Sequence, residues 1–123
     1  MKSPLAYALI AVTIGFTVAG QLLVKYGTQQ LGNFPKSLTE AFPFMLTALT
    51  NVWIVLGLGA AVAAALAWIG AVSLSDISLA YPFMGLAIVL VLALSPLLFG
   101  EQVPATRWIG VAIVCLGLLI ASR

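Results

Sequence analysis

Four long apolar runs, at residues 4–27, 52–72, 79–99 and 107–121, occupy about two-thirds of this 123-residue chain. Most are close to the roughly 20 residues needed to cross a hydrocarbon layer about 30 Å thick. Backbone polar groups in lipid are satisfied only by helices or closed barrels, and the period-two alternation of a barrel strand is absent. The runs therefore predict an all-α membrane protein. Its four transmembrane helices are expected at about 4–30, 52–72, 79–99 and 106–121, in a single domain spanning 1–123.

Little chain remains for any soluble activity. Hydrophobic residues make up 63% and charged residues 7%, against about 25% charged in a typical soluble domain. There is no His, and Cys115 is the only cysteine, so neither a His/Cys metal site nor an internal disulfide can be built. A Ser/His/Asp triad is excluded for the same reason. Gly57-Leu58-Gly59 lacks the Gly-Lys-Ser of a phosphate loop and reads as a helix-packing segment. The net charge of +2 comes from scattered cations rather than a basic stripe, which excludes nucleic acid as a partner. No enzymatic activity and no cofactor are expected. The first run is too long for a secretory signal core of about 7–15 residues, and Lys2 is the only charge before it, so it is kept as a spanning helix.

Aromatic residues mark the ends of the spans. Tyr7 and Tyr26 lie 19 positions apart, roughly 28 Å along a helix, and Trp53, Trp68 and Trp108 sit where interfacial aromatics are common. Between the first two spans, Ser37-Leu38-Thr39-Glu40 has the spacing of a capping box. It opens a segment, about 38–50, that reads either as an amphipathic surface helix carrying Leu38, Phe42, Met45 and Leu46 or as an early, tilted start to the second span. Pro43 would kink it or begin a second piece. The second span holds ten Gly or Ala in 21 residues, a composition suited to close helix approach in lipid. Gly110 and Gly117 share one face of the last span, as a dimer seam or as packing within one subunit. Lys2 and Arg123, with Asp76, fall on one side of a four-span bundle; Lys36, Arg107 and Lys25 fall on the other. Such a balance favours neither orientation under the positive-inside rule.

The clearest polar constellation lies on the first helix. Thr13, Thr17, Gly20, Gln21, Lys25 and Thr28 fall within an arc of roughly 140° at about 100° per residue. Two readings are open: an interfacial lysine anchor above an ordinary threonine stripe, or a cation beside Gln21 at the mouth of a polar groove, suited to an anionic headgroup. A second candidate is Ala80-Tyr81-Pro82, where Pro82 is either a helix break that opens a cavity for Tyr81 or a first-turn proline beside a belt aromatic. Asp76, Glu40 and Glu101 are all assigned to loops. With no carboxylate in a span, proton exchange has no evident carrier unless a loop acid folds inward.

In order and spacing, Val18-Ala19-Gly20-Gln21 with Lys25, Ala80-Tyr81-Pro82, Gly100-Glu101-Gln102-Val103 and Arg107-Trp108-Ile109-Gly110 with Gly117 resemble the drug/metabolite transporter superfamily in its short, four-helix form. The resemblance covers nearly the whole chain and implies a small multidrug resistance-like bundle. Compared with small multidrug resistance proteins, Thr17 stands where that family carries its essential glutamate, and Met84 replaces a tryptophan; both weaken a reading as a proton-driven exporter of cations. The chain looks closer to the EamA-like subunits proposed to flip undecaprenyl-phosphate-linked aminoarabinose across the bacterial inner membrane.

That resemblance implies a flippase for a polyprenyl-phosphate-linked sugar or related lipid phosphate, used in envelope (lipopolysaccharide) modification. Lys25 and Arg107 would hold phosphate, Thr17, Gln21 and Tyr81 would line the path, and the prenyl chain would stay in membrane lipid. Four helices are expected to enclose too little space for the headgroup, so a homodimer or a heterodimer with a similar subunit is expected, with the balanced charges leaving both parallel and antiparallel arrangements open. A small multidrug resistance-type exporter of cationic compounds and a non-transporting membrane scaffold subunit are the alternatives.

Overall fold

The computed structural model describes residues 4–32 and 35–121, so Lys2 and Arg123 lie outside the described residues. Five helices follow one another: α1 (Pro4–Leu31), α2 (Leu38–Ala48), α3 (Val52–Leu74), α4 (Ile77–Phe99) and α5 (Ala105–Ala121). No strand occurs among the described residues. Three helices, α1, α3 and α4, are long and apolar enough to cross a membrane; α5 is apolar but only 17 residues long.

Each junction has a local cause. Ser37 caps α2 by accepting the Glu40 N–H at 3.3 Å, one arm of the capping box. Its partner helix is separate from α3, which starts anew at Asn51. There the Asn51 side-chain oxygen accepts from the N–H groups of Trp53 (2.9 Å) and Ile54 (3.2 Å), satisfying two of the donors that every helix start leaves unpaired. The Asn51 amide also donates to Gln30 at 3.2 Å, tying the end of α1 to the start of α3. Pro43 lies inside α2 and does not begin a second segment.

The bundle is organised by α1, which packs extensively against α3 and also against α4, whereas α3 and α4 barely touch each other and α5 packs on α4. The α1–α3 seam depends on glycine. A Cβ placed on Gly20 would stand 2.8 Å from the Gly57 carbonyl oxygen, and one on Gly57 would stand 2.7 Å from that of Gly20. In lipid, where apolar side chains gain nothing by leaving their surroundings, such backbone proximity is what lets van der Waals contact hold helices together. On the α4–α5 seam Gly85 receives the side chain of Leu118.

The core is slim. Ile10, Ile14 and Val18 of α1 meet Ala71 of α3 and Ala80 and Ala87 of α4, with Trp68, Phe83 and Met84 packed around them. Among the described residues no large side chain is fully buried, and many leucines, isoleucines and valines point outward, the arrangement a bundle surrounded by lipid tails requires.

Two sequence expectations need correction. Gly110 and Gly117 were open to a role in packing within the subunit, but a Cβ on either would meet nothing within 4 Å, and both are exposed. The close approaches are made at Gly20, Gly57 and Gly85 instead. Pro82 does not break α4: the helix continues on both sides of it. The missing N–H merely withholds an intrahelical bond from the Ser78 carbonyl.

Candidate functional site

The polar face of α1 is flanked by two cavities. The first, about 400 Å³, lies between α1, α3 and α4 and is lined by Thr13, Thr17, Gln21, Trp68, Tyr81 and Met84, with Gly20 and Gly57 among its walls. The second, about 500 Å³, lies between α1, α4 and the start of α5; Thr17, Gln21 and Met84 line it as well, with Ser95, Glu101 and Arg107. Both volumes are within the range of sites that hold small ligands. Thr17, Gln21 and Met84 are thus the shared border of two adjoining hollows. Both hollows are open rather than enclosed.

The side chains divide by how their polar atoms are used. Thr13 is buried and donates to the Leu9 carbonyl at 2.7 Å, and Ser95 donates to the Val91 carbonyl at 2.7 Å. These hydroxyls are satisfied within their own helices and act as wall. Thr28 likewise donates to the Lys25 carbonyl at 2.8 Å. Thr17 and Gln21 stay open to the cavities. Tyr81 packs edge-to-face on Trp68, ring centroids 5.3 Å apart, a geometry that fixes both rings at the cavity wall. Tyr26 and Trp53 form a similar pair at 5.2 Å beside an apolar groove that also includes Leu98 and Phe99.

Charge collects at one end. Lys25 Nζ lies 3.6 Å from Glu101 Oε2, an ionic contact longer than a hydrogen bond. Gly100 causes it. At φ 66° it adopts the left-handed conformation that closes α4, its N–H bonded to the Pro96 carbonyl at 3.1 Å. Glycine takes this conformation without steric cost, and the chain reverses so that Glu101 returns towards α1. Arg107 enters in the first turn of α5, its N–H bonded to the Pro104 carbonyl at 3.0 Å. The positive end of the helix dipole adds to its charge rather than offsetting it.

Of the five substrate residues expected from sequence, four line these cavities: Thr17 and Gln21 both, Tyr81 the first and Arg107 the second. Lys25 is not on either wall and is joined to the second cavity through Glu101. Trp68, Met84 and Glu101 were missed. Glu101 carries a signal, since it follows a glycine at a helix end, where the chain commonly reverses; Trp68 reads from sequence as an interfacial aromatic.

These features define a class: a multi-pass helical membrane protein with two adjoining hollows beside one helix and charged groups gathered at one end. The curated relatives narrow it. The chain is 33% identical to the probable 4-amino-4-deoxy-L-arabinose-phosphoundecaprenol flippase subunit ArnE of Serratia proteamaculans, the match covering 94% of each chain. It is 30% identical to the protein of that name from Yersinia pestis, over 95% of this chain and 96% of the relative. The match to that from Pseudomonas savastanoi pv. phaseolicola is 29%, over 87% and 88%. No family model and no solved structure matches significantly. The chain belongs to the family of ArnE-type flippase subunits.

Proposed function

We propose that this chain is a flippase subunit that moves a polyprenyl-phosphate-linked aminosugar of the aminoarabinose type across the bacterial inner membrane. The observation that carries the reading is the continuity of Thr17 and Gln21 between two cavities, one of which ends at Arg107 and the Lys25–Glu101 pair, in a chain related to flippase subunits over nearly its whole length. The headgroup passes along this face of α1. Arg107 and Lys25 hold its phosphate, Thr17, Gln21 and Tyr81 hydrogen-bond its sugar, and the prenyl chain stays in lipid. No bond is made or broken, so the chain acts as a transporter and not as an enzyme.

In this reading α5 is the fourth span, within one domain. At 17 residues it meets the lower limit for crossing a bilayer, about 17–25 residues. Its outward glycines, Gly110 and Gly117, offer a seam to a second four-helix subunit, the same chain or a similar one, in antiparallel orientation.

The test is translocation in vesicles loaded on one side with a short-chain aminoarabinose phosphoprenol, using the chain alone and with a co-purified subunit. Lys25→Ala and Arg107→Ala are expected to lower translocation at least tenfold. Unchanged translocation and lipid-phosphate binding in both variants would reject the assigned roles. Displacement of the lipid by a quaternary cation, with proton release, would favour a multidrug-type exporter instead.

A further inference from the structure

We infer that Glu101 is the receptor for the ammonium group of the transported headgroup, and so the residue that selects an aminosugar over a neutral sugar. The inference rests on the flippase reading and assigns within it a group whose role the relatives' names do not state.

Glu101 is the one carboxylate lining the second cavity among the described residues, and Arg107 lines the same cavity. A wall with one anionic and one cationic side chain suits a ligand with both charges. An aminosugar joined to a phosphodiester is such a ligand, its ammonium and phosphate separated by one sugar ring. Glu101 has Lys25 for a partner at 3.6 Å, with the two side chains 42% and 49% exposed. A pair this exposed and this long is held weakly, so it serves as a resting arrangement that a ligand can exchange.

Loading exchanges partners. The phosphate takes Arg107 and Lys25 and the ammonium takes Glu101, so the carboxylate keeps a cationic partner throughout. A neutral-sugar phospholipid also draws Lys25 away but returns nothing to the carboxylate. Selectivity of this kind comes from the group left unpaired with the wrong ligand as much as from the contact made with the right one. The sequence alone assigns Glu101 to a loop; Gly100 in the left-handed conformation brings it back to the cavity.

The experiment measures equilibrium binding by the full chain in nanodiscs of two lipids, short-chain polyprenyl phosphates carrying either 4-amino-4-deoxyarabinose or arabinose. Wild type is expected to prefer the amino lipid about tenfold. Glu101→Gln, which keeps size and removes charge, is expected to abolish the preference by weakening the amino lipid alone, and Glu101→Asp to restore most of it. An equal loss for both lipids in Glu101→Gln, no change, or tighter binding of both (a carboxylate that merely occupies the phosphate position) would overturn the inference. Equal wild-type affinity for the two lipids overturns it while leaving the flippase reading intact; binding of neither by wild type overturns both.

Discussion

Gly20 and Gly57 face each other across the α1–α3 seam with no side chain between them, each standing where the other's Cβ would meet a carbonyl oxygen at 2.8 and 2.7 Å. Both also belong to the wall of the first cavity. The same contact therefore holds α1 and α3 together and forms part of the cavity wall beside Thr17 and Gln21.

The first prediction follows from that contact. Gly57→Ala must push α3 from α1, because the obstruction is backbone and cannot rotate away; overpacking of this kind costs about 1–3 kcal/mol. Gly59→Ala, two residues along the same helix, meets nothing within 4 Å and should be neutral or stabilising by up to about 1 kcal/mol through helix propensity. Thermal unfolding of both variants in the same detergent checks the pair, and equal stability would show that the seam is not close.

Asn51 joins two helices with one side chain. Its oxygen caps α3 and its amide reaches Gln30 of α1. Asn51→Ala is expected to destabilise by about 1–2 kcal/mol. Asn51→Asp keeps the acceptor but loses the donor to Gln30, so it should cost less. A melting series with Gln30→Ala separates the arms: Gln30→Ala should lower stability in wild type and have little effect in Asn51→Asp.

How much of this was legible in the sequence depends on the range of the interaction. The helical membrane character and the polar face of α1 are written in runs and periodicity, which need only neighbouring residues. Thr17 and Gln21 can be named as site candidates on those grounds, whereas Tyr81 is singled out by the proline beside it and Arg107 by the resemblance to short four-helix transporters. The Lys25–Glu101 pair joins residues 76 positions apart, through a turn whose direction is set by Gly100 and by where α4 lies against α1. Glycine spacing on the last helix identified a common face for Gly110 and Gly117 but not what that face meets. Gly20, noticed as part of a polar stripe, has its structural role fixed by Gly57 on another helix, which periodicity within α1 cannot reveal.

A third prediction concerns that turn. An L side chain at φ 66° is disfavoured by about 1–2 kcal/mol, so Gly100→Ala should destabilise modestly while Gly100→Asn costs less. Both changes leave every charged residue in place. If Gly100 is what returns Glu101 to Lys25, a spin-label pair at Ser95 and Gln102 will report a broader distance distribution in Gly100→Ala than in a Gly100 background. An unchanged distribution would show that the loop holds its course without the glycine.

Gly110 and Gly117 supply a fourth. A Cβ on either meets nothing in the subunit, so Gly110→Leu and Gly117→Leu should leave monomer stability within about 0.5 kcal/mol, as substitutions outside packed regions do. If this face is the seam with a second subunit, the same variants will lower the associated fraction in bilayers. Single-molecule photobleaching in dilute vesicles reads that fraction directly. Retained association in both variants would remove the α5 face from consideration.

The last prediction separates charge from geometry at Arg107. A guanidinium offers two parallel N–H donors to a phosphate, whereas lysine offers a point charge. Arg107→Lys should therefore keep part of the affinity for a polyprenyl phosphate, and Arg107→Gln should lose tenfold or more. Because the Arg107 side chain is exposed at the cavity mouth, its attraction is open to ionic screening; the Debye length falls from about 10 Å at 0.1 M to about 3 Å at 1 M salt. Wild-type affinity should fall across that range while Arg107→Gln, already lacking the charge, falls less. The measurement is lipid-phosphate binding in nanodiscs at both ionic strengths. Parallel salt curves for wild type and Arg107→Gln would mean that the phosphate is held elsewhere, and would shift the charge-binding role to Lys25 alone.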